Sequence, residues 1–288
     1  MGAGSGVMAA GVLSELAALN CEPESYTILE LSADLKQRQA ELLQQHAPLV
    51  SWRDSFPENF TGVVLANELL DAMPVHRVVW NGGELQECYV AWQEERFVWQ
   101  AGTLSNPRLQ ARFDEIISRL GELPDGYVTE INLAAEDWIN TLATNMQQGL
   151  LLLIDYGFAQ HEFYHPQRMQ GTLMCHYRHR AHDDPLILVG LQDITAHVDF
   201  TAMADSALAA EMQVSGYTTQ AHFLLGSGLT ELVAEIEADA TQQLDLANQV
   251  KCLTLPHEMG ELFKVMALTK NLPVNMPGFM LRDLRNSL

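Results

Sequence analysis

Short apolar runs and longer amphipathic stretches alternate along most of the 288 residues. Short apolar and β-branched runs predict strands, and the uninterrupted runs at residues 62–66 and 150–154 are typical of strands buried on both faces. Longer stretches that begin at a capping residue predict helices. The predicted strands are residues 26–31, 49–52, 62–66, 126–131, 150–154, 217–223 and 262–269, and the predicted helices are residues 7–19, 32–46, 107–120, 133–147, 201–212 and 229–253.

Two segments interrupt this alternation. Residues 75–80, 83–93 and 96–100 alternate around the turn Asn81-Gly82-Gly83 and predict an antiparallel meander. Residues 158–192 have the composition of a loop and are rich in His, Arg and Tyr. We therefore predict an α/β fold with a doubly wound, parallel, Rossmann-like sheet. Its core is residues 1–74 and 149–288, with an inserted antiparallel and helical subdomain at 75–148 and a second insertion at 158–192 over the cleft.

The chain opens with glycines at alternate positions, Gly2, Gly4 and Gly6, directly before the first predicted helix. Glycine lets a ligand approach the backbone, and a helix N-terminus presents unpaired N–H groups to it. Glu30 lies near the end of the next predicted strand, where an acid accepts hydrogen bonds from ribose hydroxyls. This layout predicts a nucleotide-binding unit.

Four interpretations of the glycine turn remain open on the motif alone. A dinucleotide fold requires G-x-G-x-x-G, whereas Val7 occupies the position of the last glycine. A P-loop requires a lysine within the motif, and the first lysine of the chain is Lys36. S-adenosylmethionine methyltransferases commonly carry G-x-G-x-G. A Gly/Ser-rich terminus without function would also have this composition.

The formal net charge is −21, with only 16 Lys and Arg residues. This charge disfavours nucleic acid and anionic membrane surfaces as partners and favours a basic protein segment, although acidity also serves solubility. The four cysteines are far apart and form no C-x-x-C motif, which favours a reducing compartment. The longest apolar run is far shorter than the roughly 20 residues that cross a bilayer, so no membrane insertion is predicted.

Acidic residues follow three predicted strands, at Glu30, at Glu68 after Asn67, and at Asp155. Because ligands of open parallel sheets bind beyond the carboxyl ends of the strands, we expect these side chains to line one site. The alternative is that Asn67 and Asp155 cap the segments that follow them. Asp54, after the strand predicted at residues 49–52, is a further candidate for contact with an adenine edge.

Glu68 and Asp71 are candidates for binding a cationic acceptor if the reaction is methyl transfer to a guanidinium. Methyl transfer from a sulfonium is an in-line displacement that depends on positioning and electrostatics. A guanidinium acceptor keeps its positive charge. Carboxylates must therefore orient it and draw positive charge away from the attacking nitrogen. The two residues are three positions apart and share a face if their turn is helical.

The segment Cys175-His176-Tyr177-Arg178-His179-Arg180-Ala181-His182 carries three histidines at spacings of three. Zinc sites usually mix spacings, and the interleaved arginines repel a cation. We therefore expect no metal here, and we interpret the segment as a loop that faces substrate or partner, with an ordinary polar loop as the alternative.

Six strings occur in the order in which they occur in one known family. They are Gly2-Ala3-Gly4-Ser5-Gly6, Leu65-Ala66-Asn67-Glu68-Leu69-Leu70-Asp71-Ala72-Met73-Pro74-Val75, Leu153-Ile154-Asp155-Tyr156-Gly157, Gly171-Thr172-Leu173 with Tyr177-Arg178-His179, Asp193-Ile194-Thr195-Ala196-His197-Val198-Asp199-Phe200 and Met259-Gly260-Glu261-Leu262-Phe263-Lys264-Val265. From end to end the chain resembles the MidA family of S-adenosylmethionine-dependent methyltransferases. The second and fifth strings are specific, whereas the glycine turn alone is not.

The resemblance implies a seven-stranded class I methyltransferase sheet with S-adenosyl-L-methionine as cofactor. It implies that Gly2, Gly4 and Gly6 face the methionine part of the cofactor and Glu30 its ribose. The implied catalytic residues are Asn67, Glu68 and Asp71, of which Asn67 also contacts the cofactor. The residues implied on the substrate side, without individual roles, are Asp155, Tyr156, Arg178, His179, Thr195 and Asp199.

Mitochondrial members of this family methylate an arginine on a core subunit of respiratory complex I during assembly. The resemblance therefore implies a protein acceptor with an exposed arginine, in the bacterial cytoplasm or the mitochondrial matrix. A non-catalytic assembly factor that uses the same acidic cleft, and a homodimer, remain open alternatives.

The chain departs from the family pattern at its start. Family members carry a strand and an acid directly before the first glycine, and this sequence begins inside the turn. Because that strand lies in the middle of the family's sheet, we expect a slot of two strand spacings, roughly 10 Å, between residues 26–31 and 62–66, unless these strands close it in another way.

Overall fold

The computed structural model describes residues 2–178, 180–236 and 239–288. The strands are β1 (Tyr26–Leu29), β2 (Val50–Arg53), β3 (Phe60–Asn67), β4 (His76–Asn81), β5 (Glu84–Gln93), β6 (Arg96–Gly102), β7 (Tyr127–Ile131), β8 (Met146–Phe158), β9 (Met174–Tyr177), β10 (Arg180–His182), β11 (Asp193–Thr195), β12 (Val198–Asp199), β13 (Gln213–Thr219) and β14 (Phe263–Lys270). The helices are α1 (Val7–Ala18), α2 (Ala33–Leu42), α3 (Pro107–Leu120), α4 (Leu133–Asn145), α5 (Gln160–Phe163), α6 (Phe200–Ala209), α7 (Gln220–Gly226), α8 (Leu229–Glu235), α9 (Ala240–Thr254) and α10 (Met259–Leu262).

Strand β8 lies at the centre of the largest sheet. Along one edge it pairs in parallel with β3 and, at its last two residues, with β12. Along the other edge it pairs antiparallel with β14, which pairs antiparallel with β13. The prediction of an all-parallel sheet is therefore wrong for β14. Helices α7 to α10 connect β13 to β14 at one end of the sheet, so the chain returns in the opposite direction.

Successive side chains of β8 pack on opposite faces of the sheet, as the pleat requires. Leu151 and Leu153 belong to a buried cluster with residues of α4 and α6. Leu150 and Leu152 pack on the other face, where Phe223 of α7 contributes. Helices thus cover both faces, and the predicted doubly wound α/β class is confirmed.

The predicted meander is confirmed as a second, antiparallel sheet in the order β6-β5-β4-β7. Gly82 and Gly83, with φ of 61° and 81°, make the tight turn between β4 and β5. Helix α3 packs on this sheet through Phe113, which lies in a buried cluster with Val78 and Tyr127. The domain boundaries stay a prediction, although α4, placed in the inserted subdomain, packs in the core cluster of the central sheet.

Strands β1 and β2 form a separate parallel pair, and Leu13 of α1 packs against Ile28 of β1. Within the described residues β1 shares no ladder with β3, so these two strands do not close the expected slot. Val63 of β3 is 69% exposed, and the prediction that this strand is buried on both faces is wrong. A continuous apolar run shows that both faces of a strand can be buried. Whether both faces are covered depends on the elements that pack beside the strand.

Two further segments differ from their sequence-based predictions. The strand predicted at residues 217–223 ends at Thr219, because the Thr219 hydroxyl accepts a hydrogen bond from the backbone N–H of His222 and caps α7. The second insertion, predicted as a loop, contains α5 and the strands β9 and β10, and β9 also pairs with β11.

The buried face of α4 provides a test of the central core. We expect Leu142→Ala, at a fully buried position, to lower the free energy of unfolding by about 2–5 kcal/mol because it leaves a cavity. Leu208→Ala on α6, where the side chain is 58% exposed, is the matched control and should change it by less than about 0.5 kcal/mol. Equilibrium urea denaturation measures both, and equal losses would contradict the packing of α4.

Candidate active site

The glycine turn adopts a backbone that side chains disfavour. Gly2, Gly4 and Gly6 have φ of 65°, 50° and 89°, all in the left-handed region. A Cβ on Gly2 would lie 3.2 Å from the backbone oxygen of Asn67, and one on Gly4 would enter open space. The turn lines a cavity of about 240 Å³ together with the start of β1 and Asn67. We call this space the donor cavity.

Gln39 of α2 fixes the glycine turn, and the sequence analysis missed it. This fully buried side chain donates through Nε2 to the Gly4 carbonyl (2.8 Å) and to Glu30 Oε2 (3.1 Å). Its Oε1 accepts from Trp52 Nε1 at 2.9 Å. One amide thus joins the turn, β1 and β2. The sequence offered one signal for this burial. Gln39 lies four residues before the apolar Leu43, which is also buried, and residues four apart share a helix face.

Glu30 and Asp54 occupy different environments. Glu30 accepts from Gln39 and, through Oε1, from the Ser32 N–H at 2.9 Å, so its carboxylate is held beside the glycine turn. Asp54 is exposed and pairs with Lys36 at 2.5 Å. Its contact with an adenine edge stays a prediction.

The carboxylate of Asp155 holds the turn that follows β3. Its Oδ2 accepts from the backbone N–H groups of Leu69, Leu70 and Asp71 at 3.2, 3.0 and 3.3 Å. Its Oδ1 accepts from its neighbour Tyr156 N at 2.9 Å. Asp155 therefore caps a turn more than 80 residues earlier in the chain, and not the segment that follows it, as the alternative expected.

The turn of residues 67–71, the acidic turn, is not helical. Glu68 has φ of 46°, a strained value for a side-chain-bearing residue, and it is exposed, whereas Asp71 is 5% exposed. The condition under which these two acids would share a helical face is therefore not met. Asp155 imposes a different geometry, in which Asn67 lines the donor cavity and donates to Glu68 Oε1 at 3.2 Å.

Asp71 is buried with one oxygen bound and one free of partners. Its Oδ2 accepts from the Tyr156 hydroxyl at 2.7 Å, while no described residue bonds to its Oδ1. Burial, and then the hydrogen bond to Asp71, raises the pKa of Tyr156, which keeps the hydroxyl a donor. Asp71 and Thr195 line a cavity of about 410 Å³, which we call the acceptor cavity.

The other residues predicted on the substrate side are placed as follows. Asp199 is a helix cap, because its Oδ1 accepts from the N–H groups of Thr201 and Ala202 at the start of α6. Burial raises its pKa to about 6. Arg178 is exposed and lies over the ring of Tyr177 at 5.2 Å. His179 lies outside the described residues. Substrate contacts of these residues stay predictions.

A buried network, which the sequence analysis also missed, joins the inserted sheet to the acidic turn. Glu130 of β7 accepts from Thr172 N and Oγ1 at 2.7 and 2.9 Å, and Thr172 Oγ1 accepts from the N–H of His197. The backbone N–H of Ala196 then donates to the Asp71 carbonyl at 3.0 Å. Burial lowers the pKa of His197 to about 4, so the ring is neutral at pH 7.

The acidic turn therefore lies between two cavities. Asn67 at its start lines the donor cavity, and Asp71 at its end lines the acceptor cavity. A larger open groove of about 1120 Å³ is lined by Arg119, Asp205 and Arg285, but these arginines already have ion-pair partners, at 2.7 Å for Arg119 and Asp205. No described residue of the acidic turn lines that groove, so this turn borders only the two smaller cavities among the three.

An α/β sheet covered on both faces, with a glycine turn opening a helix and an acid after the next strand, defines a Rossmann-like enzyme that binds a nucleoside cofactor. The sequence profile of the S-adenosyl-L-methionine-dependent methyltransferases matches residues 1–218. The chain belongs to this family.

Solved structures agree with this assignment. A methyltransferase-type protein from Burkholderia thailandensis, crystallised with S-adenosylhomocysteine, is 44% identical to this chain, with a TM-score of 0.92. The match covers 100% of this chain and 74% of that one. A second Burkholderia thailandensis structure has the same identity and a TM-score of 0.93, and the match covers 77% of it.

Two relatives are protein arginine methyltransferase NDUFAF7 homologues of mitochondria. Those of Drosophila melanogaster and Caenorhabditis elegans are each 26% identical, over 93% and 75% of this chain. The chain spans 66% and 49% of their lengths, so it covers less than two thirds of either relative.

The cofactor of the family is S-adenosyl-L-methionine, which supplies a methyl group from its sulfonium. The residues present fit it, because Gly4 leaves open the space that a Cβ would fill and Gln39 holds the Glu30 carboxylate beside the turn. Gly2, Gly4 and Gly6 would hold its methionine part and Glu30 its ribose, as the sequence predicts. No group of His, Cys, Asp and Glu side chains in the described ranges has the geometry of a metal site.

Gln39 provides a test of the donor cavity. We expect Gln39→Leu to weaken binding of S-adenosylhomocysteine by about tenfold, because Gly4, Glu30 and Trp52 lose their shared partner. Isothermal titration calorimetry measures the dissociation constant. Gln37→Leu on the same helix, where the side chain is exposed and donates to Glu41 at the helix surface, is the matched control. Equal affinities for the two variants would contradict the role of Gln39.

Asp155 predicts a pH dependence of stability. Burial, and then the charge of Asp71, raises its pKa from 3.8 to about 7, so the folded state binds this proton more tightly than the unfolded state. Its stabilising contribution is complete below about pH 4 and is lost as the pH rises to about 7. We expect the stability of the parent chain relative to Asp155→Asn to fall over this range, measured by urea denaturation at constant ionic strength. A difference that does not change with pH would refute this.

Proposed function

We propose that this methyltransferase transfers a methyl group to an arginine side chain of a protein. One observation carries the proposal: the acidic turn places Asn67 on the donor cavity and the buried Asp71, with an unpartnered Oδ1, on the acceptor cavity. A buried carboxylate without a second partner favours a cationic donor of hydrogen bonds.

The chemistry of a guanidinium suits this site. Its charge persists at all physiological pH values, so the site must bind a cation and draw charge from the attacking nitrogen. Asp71 would accept the guanidinium N–H through Oδ1, while the Tyr156 hydroxyl holds Oδ2 at 2.7 Å. Glu68 lies at the exposed rim of the same turn and would contribute a second carboxylate. These side chains orient the acceptor and require no covalent intermediate.

Two further observations support a protein acceptor. The relatives of fly and worm are named protein arginine methyltransferases, at 26% identity. The net charge of −21 also attracts a basic segment of a partner protein. On the family resemblance we propose a subunit of respiratory complex I as the acceptor.

The compartment is part of the proposal. No helix in the described part of the chain combines the length and the apolarity needed to cross a membrane. On the resemblance we propose the cytoplasm for a bacterial source and the mitochondrial matrix for a eukaryotic one.

Asp71→Asn is the decisive variant. We expect it to lower kcat for an arginine-containing protein acceptor by about 100-fold or more, because the neutral amide no longer stabilises the cationic acceptor. Binding of S-adenosylhomocysteine should stay within about twofold, since Asp71 lies on the acceptor side of the turn. Transfer of labelled methyl groups measures the rate, and calorimetry measures the affinity.

Asp114→Asn on α3, an exposed carboxylate that accepts from Gln110, is the control and should retain full activity. Absence of methyl transfer to arginine by the parent chain would overturn the proposal. If Asp71→Asn and Glu68→Gln both kept a complex with a basic partner that the parent chain does not methylate, the non-catalytic alternative would replace it.

A further inference from the structure

A row of apolar side chains runs along one face of the β5–β6 hairpin. Val90 pairs with Trp99 across the two strands, and Trp92 pairs with Phe97 nearer the tip. Because alternate residues of a strand share a face, these four side chains form one continuous surface, which we call the aromatic stripe. The rings of Trp92 and Phe97 are 4.9 Å apart at 70°.

The aromatic stripe leads into the acceptor cavity and is open to solvent at its outer end. Val90 and Trp99 line the cavity. Val90, Trp92 and Phe97 are 54%, 62% and 38% exposed. Adjacent exposed apolar side chains of this kind mark a surface that binds a partner. The stripe is therefore continuous with the wall of the site proposed for the acceptor.

Charges at the two ends of the aromatic stripe select the partner. At the inner end, Asp71 is 5% exposed and its Oδ1 has no partner among the described residues. At the outer end, the exposed pair Glu94 and Glu95 forms the hairpin turn and outnumbers the neighbouring exposed Arg96. Acid at both ends of an apolar track is complementary to a polypeptide that carries apolar and cationic side chains.

The other charged groups of the acceptor cavity are already compensated. The guanidinium of Arg77 lies 4.5 Å from the centroid of the Trp99 ring, and its Nε is 4.0 Å from Glu130 Oε1. Glu87 Oε1 is 2.7 Å from His76 Nδ1. Asp71 is thus the acid in this cavity that we expect an incoming cation to contact.

We propose that an extended segment of a partner protein lies along the aromatic stripe, with an apolar side chain on Trp92 and Phe97 and a cationic side chain at Asp71. This inference rests on the proposed function, because the segment is the acceptor. The two rows of the stripe are two residues, roughly 7 Å, apart, and Asp71 lies beyond the inner row. The apolar residue is therefore about two to four positions from the cationic one.

The test measures binding separately from methylation. A fluorescent peptide with one arginine and a leucine about three positions away is titrated into the full chain, with fluorescence anisotropy as the readout. We expect the double variant Trp92→Ser with Phe97→Ser to raise the peptide dissociation constant by about tenfold or more. Replacing the peptide leucine by serine should weaken binding to the parent chain by a similar factor.

Leu244→Ser on α9 is the matched control, because this side chain is also 62% exposed. It should leave peptide binding unchanged. Calorimetry with S-adenosylhomocysteine should give the same affinity for parent, stripe variant and control, which shows that the variants fold and keep the donor cavity.

The outcomes separate this inference from the proposed function. Peptide binding that depends on the aromatic stripe, without methyl transfer, supports the docking surface and refutes the function. Methyl transfer with the same KM for parent and stripe variant refutes the docking surface and keeps the function. Absence of peptide binding to the parent chain would also overturn the docking surface. A dimer of the parent chain that Trp92→Ser dissociates would overturn it as well, because a second copy of the chain would then cover the stripe.

Discussion

The site depends on one interaction, in which the Asp155 carboxylate accepts three consecutive backbone N–H groups from residues 69–71. Burying a carboxylate is costly, and these hydrogen bonds, with a fourth from Tyr156, offset the cost. They also explain why Glu68 tolerates a left-handed backbone. Because the turn is held at its N–H groups, its two ends point to different cavities. Separation of donor and acceptor sides thus follows from one buried carboxylate.

The two sides of the site come from different parts of the fold. The donor side is built by the glycine turn, β1 and α2, which Gln39 joins through three hydrogen bonds. The acceptor side is built by the inserted sheet and the loop before β12, which Glu130 and Thr172 join. The requirement for Gly171 fits this second network, because a Cβ there would lie 2.2 Å from a Glu130 oxygen. On the proposed function, we expect changes to the inserted parts to alter the choice of acceptor without disturbing the donor side.

The acceptor side of the site has a distinct electrostatic environment. The acceptor side holds the buried Asp71, which lines the cavity, and the hydroxyl of Tyr156, which its raised pKa keeps as a donor. The neighbouring His197 ring, packed between Tyr156 and Phe158, has its pKa lowered to about 4 by burial and adds no positive charge. A cation entering the acceptor cavity would therefore meet the Asp71 carboxylate, while the two basic side chains that line the cavity, His76 and Arg77, lie beside Glu87 and Glu130. The net charge of the whole chain acts in the same direction at longer range.

The sequence by itself determined the features that depend on residues close together in the chain. Apolar runs placed β3 and β8, Ser32 marked the start of α2, the Asn81-Gly82-Gly83 turn marked the meander, and alternate glycines marked a turn open to a ligand before α1. Only the tertiary structure decided that Asp155 caps a turn 84 to 86 residues away, that Gln39 is buried, that Asp199 caps α6 and that Val63 is exposed. Each of these depends on partners distant in sequence, because a side chain's hydrogen bonds and burial are set by whatever the fold brings beside it, and a pattern of spacing does not carry that information.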